Sequence, residues 1–199
     1  MKYLFLDIDG VLNSTRSCFV KIGPNLATSE AVRELAQRIP GGLPYGVTFA
    51  LKCVDPICVE LVNRLLKESE ATLVLSSSHR SHLTDEHTPY GSKGHLGRLR
   101  LYLECMGLYV PMRFDITPML HRTRGEEVEA FFETNELPEH GGAGPGWLAG
   151  LAYVILDDGA DFKGYQPLVC VDATNGLSFE NYAAACIELH ISEPSNIIV

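Results

Sequence analysis

The amino-acid sequence predicts an α/β fold, with a central, mostly parallel sheet covered by helices on both faces. Three observations carry that expectation. Apolar runs at 3–6, 72–75 and 152–156 lack polar alternation, as strands buried on both sides should. Segments with helical spacing of apolar residues lie between them, and a helix joining two buried strands is half of a right-handed β-α-β crossover. Each run also stops at polar residues: Asp7-Ile8-Asp9-Gly10, Ser76-Ser77-Ser78-His79-Arg80 and Asp157-Asp158. In open α/β sheets ligands bind beyond the carboxyl ends of the strands, so these endings are the candidate site.

Taken in order, the first strand spans 3–6. Residues 14–27 show no periodicity and are expected to form a loop. A short helix is expected over 29–39, with Val32, Leu35, Ala36 and Ile39 on one side, broken by Pro40-Gly41-Gly42. Residues 46–53 alternate and read as a strand or hairpin arm. Asp55-Pro56 marks a helix start, with Asp as N-cap and Pro in the first turn. Ile57, Leu61 and Leu65 supply that helix's apolar stripe before the strand at 72–75. Residues 81–94 are polar; His79, His82, His87 and His95 suit loop positions near an anionic site better than a zinc centre. A helix follows, ended at Gly107, and then a strand within 108–116 that Pro111 assigns to an edge. Thr123 and Glu126 form a capping-box pattern ahead of Val128, Phe131 and Phe132. Residues 138–150, with Trp147, read as a loop. A last strand at 168–171 and a helix capped by Ser178 complete the chain.

The length of 199 residues suits one domain over 1–199, with 14–52 either a small cap or a long connection. A net charge of −9 argues against a general nucleic-acid coat protein. The charge is uneven, however: residues 80–124 hold seven Lys/Arg against four Asp/Glu, as an anionic substrate or a solvated surface would allow. No apolar run approaches the length of a membrane span, and Asp7 and Asp9 interrupt the N-terminal run that resembles a secretory signal. Six cysteines without a C-x-x-C pair read as buried free thiols of a reducing compartment, so a cytoplasmic protein is expected.

Asp7 and Asp9 can both face one pocket where the strand runs out, and Gly10 permits the turn. Two carboxylates held together repel unless a cation neutralises them. Oxygen-only ligands favour a hard ion, magnesium first.

The order acid pair, serine, basic residue, acid pair resembles the haloacid dehalogenase-like (HAD) phosphohydrolase superfamily. Asp7 and Asp9 match its first motif, Ser76 its second, Arg124 its third and Asp157/Asp158 its fourth. The third motif is often lysine there, and this chain has arginine. Ser-Ser-Ser-His-Arg, Arg-Gly-Glu-Glu-Val and Leu-Asp-Asp look closest to the HAD domains of RNA-repair proteins and polynucleotide phosphatases. The resemblance implies a Rossmannoid three-layer sandwich with at most a small cap, and strand order placing Asp7, Ser76 and Asp157 on neighbouring strands. It implies a magnesium-dependent phosphomonoesterase with Asp7 as nucleophile and Asp9 as general acid and base. Ser76 and Arg124 would bind and neutralise the phosphoryl group, and Asp7, Asp157 or Asp158, with the Asp9 main-chain carbonyl, would hold Mg2+. Gly10, Ser77 and Arg80 are the substrate-binding candidates, although loop capping alone accounts for Ser77 and Asp161. The expected substrate is a terminal phosphate on RNA or DNA. A small-molecule phosphatase, a non-catalytic phosphate-binding module and a receiver-type domain compete with it; Asp115 lacks the hydroxyl and lysine order the last requires.

Overall fold

The computed structural model describes residues 1–21, 25–39, 41–83, 96–120, 122–135, 150–159 and 161–192. Strands β1 (Lys2–Leu6), β2 (Thr72–Leu75), β3 (Phe114–Ile116), β4 (Ala152–Asp157) and β5 (Leu168–Cys170) form one sheet in the order β3-β2-β1-β4-β5. Every pairing is parallel. Leu6 lies opposite both Leu75 and Leu156, so the residues that follow leave the sheet side by side. The ladder continues one step further, with Asp7 N–H donating to the Leu156 carbonyl and Ser76 N–H to that of Leu6, each at 2.9 Å.

Strand alternation divides the core into two layers. Leu4, Leu6, Leu73, Leu75, Val154 and Leu156 face one side, where helices α4 (Pro56–Ser69), α6 (Gly97–Cys105) and α8 (Phe179–Glu188) contribute. Tyr3, Phe5, Val74, Tyr153 and Ile155 face the other, against Val128, Phe131 and Phe132 of helix α7 (Arg124–Asn135). There the rings meet edge to face, Phe5 and Phe131 at 5.4 Å and 90°. The result is the α/β three-layer arrangement expected.

Several local expectations need correction. Residues 15–20 are not loop but helix α1 (Thr15–Val20), started by reciprocal hydrogen bonds between Ser14 and Ser17. Residues 46–53 are not a strand: they lie in helix α3 (Tyr45–Cys53), because burial selects Val47, Ala50 and Leu51 at helical spacing. Helix α2 (Glu30–Gln37) has the expected start, with Ser29 accepting from Val32 N–H. Asp55 caps α4 as expected, accepting from Ile57 N–H. Of residues 108–116 only Phe114–Ile116 pair as a strand; Arg100 occupies the Val110 and Pro111 carbonyls instead. Helix α5 (Arg80–Leu83) is short, and the loops expected beyond it and around Trp147 lie outside the described residues. The six cysteines are unpaired, but only Cys53, Cys58 and Cys186 are buried, whereas Cys170 is exposed. Among the described residues no helix is long and apolar enough to cross a membrane.

Candidate active site

The carboxyl ends of β1 and β4 deliver three carboxylates to one point. Oxygens of Asp7, Asp157 and Asp158 lie within 4.8 Å of one another. Asp7 and Asp157 are buried, and Asp158 opens to solvent. Backbone donors hold the inner pair: Ile8 N–H donates to Asp7 Oδ1 at 2.7 Å and Gly159 N–H to Asp157 Oδ1 at 2.8 Å. The other oxygen of each accepts from Arg124 Nη1, at 2.6 Å in both cases.

Arg124 reaches that position because α7 begins there. Thr123 and Glu126 bond to each other across the first turn, as the capping box predicts. Asp161 adds a second cap, its Oδ2 accepting from Arg124 N–H at 3.1 Å. The guanidinium and the helix start therefore supply positive charge together. Burial works against the Arg124 charge, and Asp7 and Asp157 more than restore it, raising its pKa.

One guanidinium does not balance three carboxylates. Burial first, and then the Asp7 charge, push Asp157 up to about 6 despite Arg124. Asp158 is raised for the same two reasons. An all-oxygen cluster with surplus negative charge fits a hard divalent cation such as magnesium, and its donor set excludes a soft-metal preference.

Asp9 stands apart from this group. Its half-exposed carboxylate contacts His79 Nε2 at 2.8 Å through Oδ2 and accepts from Asn13 Nδ2 at 2.9 Å through Oδ1. Burial alone would raise its pKa, but His79 and Asn13 overcome that and hold it below the ordinary carboxylate value. His79 is in turn fixed by Tyr102, whose hydroxyl lies 2.9 Å from Nδ1 and whose ring stacks at 5.7 Å. Burial and then the Asp9 charge raise the Tyr102 pKa far enough to keep the phenol neutral. In the tautomer whose Nδ1 accepts from the phenol, Nε2 carries the proton and donates to Asp9.

Ser76 is buried at the end of β2, and its Oγ has no hydrogen-bond partner among the described residues. Such a group calls for a ligand or water oxygen. Thr117 Oγ1, just past β3, is in the same condition. Ser77 and Arg80 are committed to the loop itself: Ser77 Oγ accepts from His79 N–H, and Arg80 binds the Ser76 and Ser77 carbonyls. Arg80 also pairs, buried, with Glu127 of α7. Gly10 has φ of +77° and donates its N–H to Asn13 Oδ1 at 3.0 Å.

The structure thus gathers Asp7, Asp157, Asp158 and Arg124 directly, sets Asp9 beside them, and leaves Ser77, Arg80 and Gly10 in supporting contacts. Sequence reasoning missed Asn13 and Tyr102 and gave His79 only a general place near the site. Nothing in the helical pattern around Tyr102 separates it from an ordinary core tyrosine.

Fold and site together define a HAD-like α/β protein. The family model for the HAD domain in Swiss Army Knife RNA repair proteins matches residues 3–182, and the chain belongs to that family. Membership suggests a phosphohydrolase-type HAD domain. No curated protein and no solved structure matches the chain.

Proposed function

We propose that this chain is a magnesium-dependent phosphomonoesterase that removes a terminal phosphate from a polynucleotide through an aspartyl-phosphate on Asp7. The observation that carries the reading is the Asp7–Asp157–Asp158 cluster with Arg124 bonded to its two buried members. Asp7, Asp157 and Asp158 would hold the cation, which would supply charge neutralisation so that a carboxylate can approach a phosphate.

An Asp7 oxygen attacks phosphorus, the bond from phosphorus to the leaving oxygen breaks, and Asp9 gives that oxygen a proton. Water then attacks the same phosphorus and Asp9 takes its proton, so that phosphate leaves and the Asp7 carboxylate is restored. Arg124 orients Asp7 and offers positive charge to the phosphoryl oxygens, while the unpartnered Ser76 Oγ donates to one of them. His79 and Asn13 hold Asp9, and Arg80 positions the Ser76 loop by tying it to α7. Asp9 is ionised in this state, which suits the second step; donation in the first requires it to load a proton once substrate covers it.

A polynucleotide substrate is supported by the family and by the exposure of Asp158 and Asp9 at the site's mouth. The test is phosphate release, with magnesium and with excess chelator, from 3′- and 5′-phosphorylated oligonucleotides, mononucleotides and sugar phosphates. Magnesium-dependent release favouring an oligonucleotide is expected. Release unaffected by verified metal removal would refute the mechanism, and faster turnover of every small phosphate would refute the substrate.

A further inference from the structure

A cleft of about 630 Å³ opens beside the acid cluster, with Asp9 and Gly10 in its lining. This lies within the roughly 300–1,000 Å³ of small-molecule sites. Its inner end is polar, with the buried Asn13 and Ser14, and Phe19 of α1 and Phe49 of α3 stand on its exposed side. Phe19 is 83% exposed and Phe49 44%. Tyr45, 82% exposed, stacks on Phe49 at 6.1 Å and 23°, which extends the aromatic surface past the rim. Scattered exposed apolar residues need no explanation, but Phe19 and Phe49 line one cleft together with Asp9, and Tyr45 adjoins it through Phe49.

We infer that this cleft is a stacking subsite for the nucleobase of the substrate's terminal nucleotide. The inference rests on the phosphatase reading above for the polarity of the bound end: phosphate among the acids, base between Phe19 and Phe49. Continuity with Asp9 selects the occupant, since whatever fills the cleft is joined to the group being cleaved. Flat aromatic walls bind any base by its π-face, so stacking here tolerates all four bases. The inner polar end, already engaged in bonds to Asp9 and within the α1 cap, offers little base-edge readout.

The test uses single-stranded oligonucleotides phosphorylated at one end, with either 2-aminopurine or an abasic residue there, bound to the full chain with magnesium and read before turnover. Stacking should quench 2-aminopurine fluorescence. Phe19→Ala and Phe49→Ala should each weaken binding of the base-bearing end by about 5- to 30-fold, within the range for base–aromatic stacking. Preference over the abasic end should collapse, and Phe49→Trp should restore it. Equal binding of both ends by the unaltered chain, or equal losses for both ends in the variants, would overturn the inference. So would a dimer that Phe19→Asp dissociates, because a second copy would then occupy the cleft. Phosphate release is read separately. Quenching that depends on Phe49 without any turnover would remove the phosphatase reading and keep the base subsite; turnover without base preference would do the reverse.

Discussion

Replacing Gly10 by alanine should damage the metal site through a steric route that leaves every carboxylate in the sequence. A Cβ built at Gly10 falls 2.4 Å from Asp158 Oδ2, 2.5 Å from its Cγ and 2.8 Å from its Cβ. Comfortable separations are about 3.5–4.0 Å, so Asp158 must retreat by roughly 1 Å or more. Contact reaches its Cβ, so turning the carboxylate is insufficient and the whole side chain must leave the cluster. Independently, φ of +77° costs an L-residue about 1–2 kcal/mol. Stability without metal should therefore fall by about 1–2 kcal/mol, and magnesium affinity by about 10–100-fold or more, as when a metal site's supporting groups are lost. Urea unfolding in chelator and a magnesium titration by calorimetry measure the two effects. In an Asp158→Gly background the clash disappears, so the further loss of affinity on adding Gly10→Ala should be small. Wild-type magnesium affinity in the single variant would refute the argument that Gly10 exists to admit Asp158.

Three other outcomes follow from the contacts. Arg80→Met leaves Glu127 buried without its ion-pair partner and should cost about 3–5 kcal/mol in urea unfolding, partly recovered by adding Glu127→Gln; a loss below about 1 kcal/mol would contradict the role assigned to Arg80. Without metal, Asp157 has a folded pKa of about 6 against an ordinary 3.8, so the folded protein binds its proton more tightly than the unfolded chain. That contribution is complete below the unfolded value and lost as pH rises through about 6. The stability of wild type relative to Asp157→Asn should thus fall by about 2 kcal/mol between roughly pH 4 and 7, and a pH-independent difference would contradict it. His79→Ala should slow phosphoryl transfer from an alkyl phosphate, read as the single-turnover rate of alcohol release, by up to about 100-fold through misplacement of Asp9, and slow the same step with p-nitrophenyl phosphate, whose leaving group needs no proton, much less. His79→Gln should recover part of the loss; equal losses on both substrates would sink the assignment.

Strands β1, β2 and β4 were legible because they are short, unbroken apolar runs ending in polar residues, whereas β3 carries Asp115 and its bounds within 108–116 were not. Asp7, Asp157 and Arg124 were legible for the same reason, since strand ends and a Thr-x-x-Glu helix start mark position as well as chemistry. Helix α1 was not, because its cap is Ser-x-x-Ser and not the Ser-x-x-Glu pattern. Helix α3 was hidden by Val47, Phe49, Leu51 and Cys53, which alternate like a strand; which of them is buried depends on packing that the sequence does not print. Arg80 illustrates the remaining gap. An arginine next to a serine motif reads as a phosphate ligand, but Glu127, distant in sequence, draws its guanidinium into the interior. His79 and Tyr102 meet only because the fold brings α6 beneath the β2 loop, and no local spacing announces a contact of that kind.

The central claim is that Asp7 becomes phosphorylated. The most direct measurement is acid quenching of the protein during turnover of a terminally phosphorylated oligonucleotide with magnesium, followed by mass mapping of the N-terminal peptide. The account predicts a phosphoryl adduct on Asp7 that appears with substrate, disappears as substrate is exhausted, and is absent from Asp7→Asn. Sustained turnover by Asp7→Asn, or an adduct mapped to a different residue, would contradict it.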